Sequence, residues 1–122
     1  MSRHPAKRFQ SAFNKTLETV APFADRVKVY KLESAEASEY FEEESLDFIF
    51  IDGDHSFEGV TRDLTNWVPK VKKDGLICGH DWENANTYQD VKNAVLSFFG
   101  KEIESRVELS YNNTWFLKKA DI

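Results

Sequence analysis

Two short runs in this chain of 122 residues hold side chains that could do chemistry together. The first is Asp52-Gly53-Asp54-His55 and the second is His80-Asp81. Asp52, Asp54 and Asp81 offer the hard carboxylate oxygens that suit magnesium or calcium. His55 and His80 add imidazole nitrogens, which ligate softer divalent ions or act as general bases near neutral pH. Gly53 and Gly79 let backbone or ligand approach closely. A plainer reading fits the same residues. Asp-Gly-Asp after a strand is also a turn plus a helix cap, with Asp54 or Ser56 capping a helix that begins near Phe57. His80 could equally hydrogen-bond across a sheet end. Either run alone favours the plain reading, whereas two acid-plus-histidine runs on one rim favour function.

The elements that would position these runs can be read from the hydrophobic pattern. Phe9, Ala12, Phe13, Leu17 and Val20 form a helical stripe that ends near Pro22. Val27–Leu32 is short and β-rich, so it reads as a strand. Ser34 can cap a helix running to Tyr40 or Phe41, helped by acidic residues near its start. Leu46–Ile51 has four consecutive apolar residues, a pattern expected of a strand covered on both faces. Asp52–Ser56 follows directly. A helix then carries Val60, Leu64, Trp67 and Val68 on one face, with Pro69 near its end. Asp74-Gly75 reads as a turn, Leu76–Cys78 as a second buried strand, and Gly79-His80-Asp81-Trp82 closes it. Thr87 is a candidate cap for a helix with the stripe Val91, Ala94, Val95, Phe98 and Phe99, stopped at Gly100. The tail reads as a hairpin, Arg106–Ser110 and Thr114–Lys118 about Tyr111-Asn112-Asn113. Helices alternating with strands imply an α/β fold, a mostly parallel sheet with a C-terminal antiparallel hairpin. Ligands bind such sheets beyond the carboxyl ends of the strands, so both polar runs should line one rim. Trp82 and Tyr88 are candidate pocket walls, though aromatic residues so placed more often pack.

Composition narrows the partners. The chain is 41% hydrophobic and 30% charged, with ten Phe and three Trp to build a core, and its length suits a single domain over 1–122. A net charge of -5 without a long basic run argues against a nucleic-acid surface. Lys70, Lys72 and Lys73 read as a solvated cluster. The single cysteine, Cys78, excludes an internal disulfide and fits a reducing, cytoplasmic compartment. It lies in an apolar stretch and reads as a small buried hydrophobe. No apolar run approaches the roughly 20 residues that span a bilayer, so no membrane contact is expected. Met1–Phe9 is basic but lacks the apolar stretch of a secretory signal.

Taken together, Phe48–Val60, Asp63-Leu64, Trp67 and Gly75–Trp82 resemble class I S-adenosylmethionine-dependent methyltransferases. The group most similar is the small-molecule O-methyltransferase-like one, with a strand-Ile-Asp-Gly-Asp-His motif and a later Gly-His-Asp-Tyr-type motif. The resemblance runs from about Phe9 to Lys118. It implies a Rossmann-like sheet in which Val27–Leu32 is the third strand, Leu46–Ile51 the fourth and Leu76–Cys78 the fifth. It implies a divalent cation such as magnesium on Asp52 and Asp81, with Asp54 nearby, and His55 and His80 as bases or further ligands. It places Ser34, Ala35 and Asp52 beside S-adenosylmethionine, and a small-molecule or sugar hydroxyl as methyl acceptor. A metal would lower the pKa of that hydroxyl, leaving mainly in-line positioning.

One departure from the family is plain: no glycine precedes Gly53, so the glycine-rich cofactor loop is absent. The resemblance then implies a truncated sheet, its first two strands missing and half of the cofactor site with them. Losing those strands would expose an apolar edge on the fourth. Either the third and fourth strands pair directly, or another chain covers the edge, which leads to an expected homo-oligomer or strand-exchanged dimer. Two rival readings stand beside this one. Asp52-Gly53-Asp54 after an apolar strand also resembles the nucleophile motif of haloacid-dehalogenase-like phosphohydrolases, with Asp52 attacking phosphorus. The other rival is a non-catalytic binding or assembly module.

Overall fold

The computed structural model describes residues 5–83 and 90–122. The chain divides into two compact units, Met1–Glu33 and Ser34–Ile122.

In the first unit, helix α1 spans Pro5–Val20 and runs into a 3-10 turn at Ala21–Phe23, with Pro22 at the junction. A proline there cannot continue the α-helical hydrogen bonding. The Lys31 ammonium returns over the Phe13 ring at 4.9 Å. The strand expected at Val27–Leu32 is not formed: this segment carries no strand pairing. Its valines favour extended backbone, but a strand is stable only when a neighbour takes its hydrogen bonds.

The second unit holds helix α2 (Ser34–Ser38), strand β1 (Leu46–Ile51), helix α3 (Phe57–Trp67), strand β2 (Val71–Gly79), helix α4 (Asp90–Phe99), and strands β3 (Glu108–Leu109) and β4 (Trp115–Lys118). The sheet order is β1-β2-β4-β3. β1 and β2 are parallel, while β2–β4 and β4–β3 are antiparallel. The sheet is therefore mixed and not mostly parallel. The reason is the C-terminal hairpin: it supplies two of the four strands and docks antiparallel on β2.

α3 and α4 form as their stripes dictate. Ser56 accepts a hydrogen bond from the Gly59 amide at 3.0 Å, capping α3. Gly100, at φ 99°, stops α4 with its amide on the Leu96 carbonyl. Val60 and Leu64 of α3 and Val91, Ala94 and Val95 of α4 join Ile49, Ile51, Ile77, Trp115 and Leu117 in one core. Those sheet residues share a face, because side chains alternate along a strand. The opposite face is not covered as the apolar run suggested. Phe48 is 60% and Phe50 49% exposed. The expected turn at Asp74-Gly75 is instead a bulge inside β2: Leu46 pairs with Val71, but Phe48 pairs with Leu76. Among the described residues, no helix is long and apolar enough to cross a membrane. Thr87 and Tyr88 lie outside the described residues.

Candidate functional site

β1 and β2 end side by side. Ile51 and Gly79 are register partners, and the His80 amide donates to the Ile51 carbonyl at 3.3 Å. The next residues of each strand, Asp52 and His80-Asp81, must then emerge at one rim, as parallel pairing requires. A second tie fixes the β2 end: the Trp82 amide donates to the Asn113 carbonyl in the hairpin turn at 3.1 Å. That turn is allowed by Asn112 and Asn113, both at positive φ, which asparagine tolerates better than most residues. Asp81 also sits at positive φ, 59°. A short polar side chain makes this conformation affordable.

The rim draws four of the expected residues together. His55 Nδ1 lies 3.0 Å from Asp81 Oδ2, and His80 Nδ1 lies 3.4 Å from Asp81 Oδ1. His80 Nδ1 is 3.9 Å from Asp52 Oδ1. One donor atom each from Asp52, His80 and Asp81 lies within 4.8 Å of the others. Asp81 is the most enclosed of the four at 20% side-chain exposure, against 54% for His55. The Asp81 carboxylate therefore faces both imidazoles. Its contact with His55 is made at Nδ1, which places the proton there and the lone pair on Nε2.

Asp54 is not brought into this group. Its Oδ1 accepts the Ser56 amide at 2.9 Å, so it serves the start of α3 together with Ser56. That hydrogen bond, with a smaller contribution from the Ser56 hydroxyl, holds its pKa below the ordinary aspartate value. Asp54 also fills the space beside Gly59, where a Cβ would fall 2.6 Å from Asp54 Cγ. The plain reading of this run is thus right for Asp54 and Ser56. Cys78 is buried, and burial pushes its thiol pKa up, as expected of an inert core cysteine.

A cleft of about 470 Å³ runs along β1, lined by Phe48, Phe50, Asp52 and Ser34 among others. Ser34 Oγ accepts the Trp67 indole N–H at 2.8 Å. Ala35 is not among the lining residues, and its carbonyl accepts the Ser38 hydroxyl at 2.7 Å. Asp63 and Trp67 of α3 also line the cleft; the sequence reading placed Trp67 on the helix's apolar face and both in the family resemblance, without a site role for either. Their signal was present, since residues four apart share one helix face.

A family model described as a methyltransferase domain matches residues 2–82, a stretch that includes both polar runs and the strands that carry them. The chain is also 35% identical over 48 residues to the uncharacterized protein y4gI of Sinorhizobium fredii (strain NBRC 101917 / NGR234). That match covers 39% of this chain and only 5% of the relative. The model match speaks for a methyltransferase over the phosphohydrolase reading of Asp52-Gly53-Asp54. With more than half of its length matched, the chain belongs to the methyltransferase-domain family.

Proposed function

We propose that residues 1–122 carry the acceptor side of an S-adenosylmethionine-dependent methyltransferase site that acts on a hydroxyl of a small molecule or sugar. The observation that carries the reading is the meeting of Asp52, His55, His80 and Asp81 at the ends of two paired strands. No glycine precedes Gly53, so these residues contribute this half of a site and not the family's glycine-rich loop.

The donor set of Asp52, His80 and Asp81 fits a divalent cation. Its atoms lie within 4.8 Å of one another, and an ion with ligands at about 2.0–2.5 Å would need a small inward movement of the exposed Asp52 and the half-buried His80 and Asp81. Two carboxylates with one imidazole suit magnesium or manganese. When bound there, the cation would lower the pKa of an acceptor hydroxyl held beside it. S-Adenosylmethionine, when bound, would supply the methyl group, and His55 is the residue placed to take the acceptor hydroxyl's proton at Nε2. Asp81 fixes the His55 ring and stabilises the imidazolium that results. Asp52 follows the end of β1 on the same rim, 3.9 Å from His80 Nδ1.

Isothermal titration of S-adenosylmethionine into the chain, with and without magnesium, tests the reading. Saturable binding that magnesium strengthens, and that Asp52→Asn weakens, is the expected result. No saturable heat from magnesium alone, with wild type and Asp52→Asn indistinguishable, would refute it and leave a binding or assembly module.

A further inference from the structure

The outer edge of β1 carries two exposed phenylalanines, Phe48 and Phe50. β1 is the terminal strand of its sheet, and among the described residues no strand pairs with its far side. Edge strands are normally guarded by proline, an outward lysine or a bulge. Leu46–Ile51 has none of these, since its sequence is Leu-Asp-Phe-Ile-Phe-Ile and the bulge lies across in β2. Its one charge, Asp47, is met by Lys72 Nζ at 2.9 Å. Phe48 and Phe50 stand exposed beside that edge and line the cleft along it. Such an edge is a template for strand addition.

We propose that this edge docks a second copy of the chain, β1 against β1, antiparallel about a two-fold axis at Ile49. The segment is self-complementary in that register. Ile49 faces the partner's Ile49, Phe48 faces the partner's Phe50, Asp47 faces the partner's Ile51, and Leu46 faces the partner's Asp52. Every pair joins residues of the same sheet face, which strand pairing demands. The four phenylalanines form two cross-strand aromatic pairs, a favourable combination. No carboxylate opposes another. Parallel in-register pairing would instead set Asp47 beside its own copy and Asp52 beside its own copy, a destabilising arrangement. The two-fold arrangement closes on itself, so it gives a dimer with one continuous eight-stranded sheet and leaves only β3 at the outer edges. Asp52 is the last paired residue, and His55, His80 and Asp81 lie beyond it.

Sedimentation velocity over a concentration series tests the association. The expected species is twice 14.1 kDa, and Phe48→Lys shifts it to the monomer while leaving the far-ultraviolet circular dichroism unchanged. Cysteine pairing tests the register. A mixture of Phe48→Cys chains and Phe50→Cys chains should cross-link on mild oxidation, because directly opposed residues meet the geometry of a disulfide. Neither variant should cross-link efficiently by itself. A wild-type chain that stays monomeric throughout overturns the proposal, and would mean that another polypeptide segment takes the edge. A dimer indifferent to Phe48→Lys, or one in which each cysteine variant links to itself, overturns it too. These readouts do not depend on cofactor binding, so they fail or succeed separately from the methyltransferase reading.

Discussion

Adding one methyl group at Gly79 should destabilise the domain and disturb the rim at once. A Cβ built on Gly79 falls 2.5 Å from Trp115 Nε1 and 2.6 Å from Cε2 and Cζ2. Ordinary contact between such atoms is about 3.5 Å, so the indole or the strand must yield by about 1 Å. The ring has little room to do so. Trp115 is 0% exposed and packs on Trp82 at a centroid distance of 5.8 Å. Overpacking of this kind costs about 1–3 kcal/mol. The alanine returns about 0.5–1 kcal/mol, because glycine loses more freedom on folding. The net for Gly79→Ala is a loss of about 1–2 kcal/mol, a melting point lower by several degrees for a domain of this size. Thermal unfolding followed by circular dichroism and tryptophan fluorescence measures it. Trp115→Phe supplies the control. It removes the atoms that collide, and it removes an indole N–H that has no hydrogen-bond partner among the described residues, an unmet donor that itself costs about 1–3 kcal/mol. The double variant should therefore be more stable than the sum of the two single losses predicts, by about 0.5–2 kcal/mol. A Gly79→Ala chain as stable as wild type, or a purely additive double variant, would refute the packing argument.

Leu64 is fully buried between the sheet and α4, so Leu64→Ala should cost about 2–5 kcal/mol in urea denaturation. Asp54 has a pKa lowered chiefly by the Ser56 amide. Its charge therefore stabilises the fold above the unfolded aspartate value of about 3.9, and that contribution is lost as pH falls through the lower folded value. The stability difference between wild type and Asp54→Asn should accordingly be present at pH 6 and shrink below about pH 4, as read from denaturation midpoints across pH. Asp81→Asn removes the carboxylate that faces both His55 and His80. As it takes away one of the three proposed donors, it should weaken manganese binding at least about tenfold, the loss seen when even a group that only orients a ligand is removed, and electron paramagnetic resonance of free manganese would count the ion left unbound.

The parts of the fold that were legible in sequence are those whose signals are local. The apolar run Leu46–Ile51 gives β1 to the residue. Asn112-Asn113 marks the hairpin that the structure forms. The stripes of α3 and α4 give the core face. What was not legible depends on distant partners. Val27–Leu32 has the composition of a strand, yet pairing is decided by what lies alongside. The apolar run of β1 suggested cover on both faces, but a phenylalanine is equally apolar whether buried or bare. The rim divides in the same way. Asp52, His80 and Asp81 could be placed from the rule that ligands gather at strand ends. Asp54 could not be separated from them by type, because only the backbone geometry shows that its carboxylate is taken by Ser56.

The register between β1 and β2 joins the stability of this domain to the geometry of its rim. Asp52 and His80-Asp81 face each other only because Ile51 is opposite Gly79. A slip of one residue would move either group by about 3.3 Å and turn its side chains to the other face. Two glycines oppose such a slip. At the base of β2, Gly75 lies so close that a Cβ would come within 2.6 Å of the Asp47 carbonyl and 2.5 Å of Val71 Cγ1. The bulge that takes up the extra residues of β2 is therefore held to that place. At the top, Gly79 lies flat against the Trp115 indole, where no other residue fits without displacement. The pairing of Phe48–Ile51 with Leu76–Gly79 runs between these two close approaches. The chemistry proposed for the rim thus depends on contacts far from any reacting atom, which is why core substitutions at either glycine should impair it as surely as changes to the aspartates themselves.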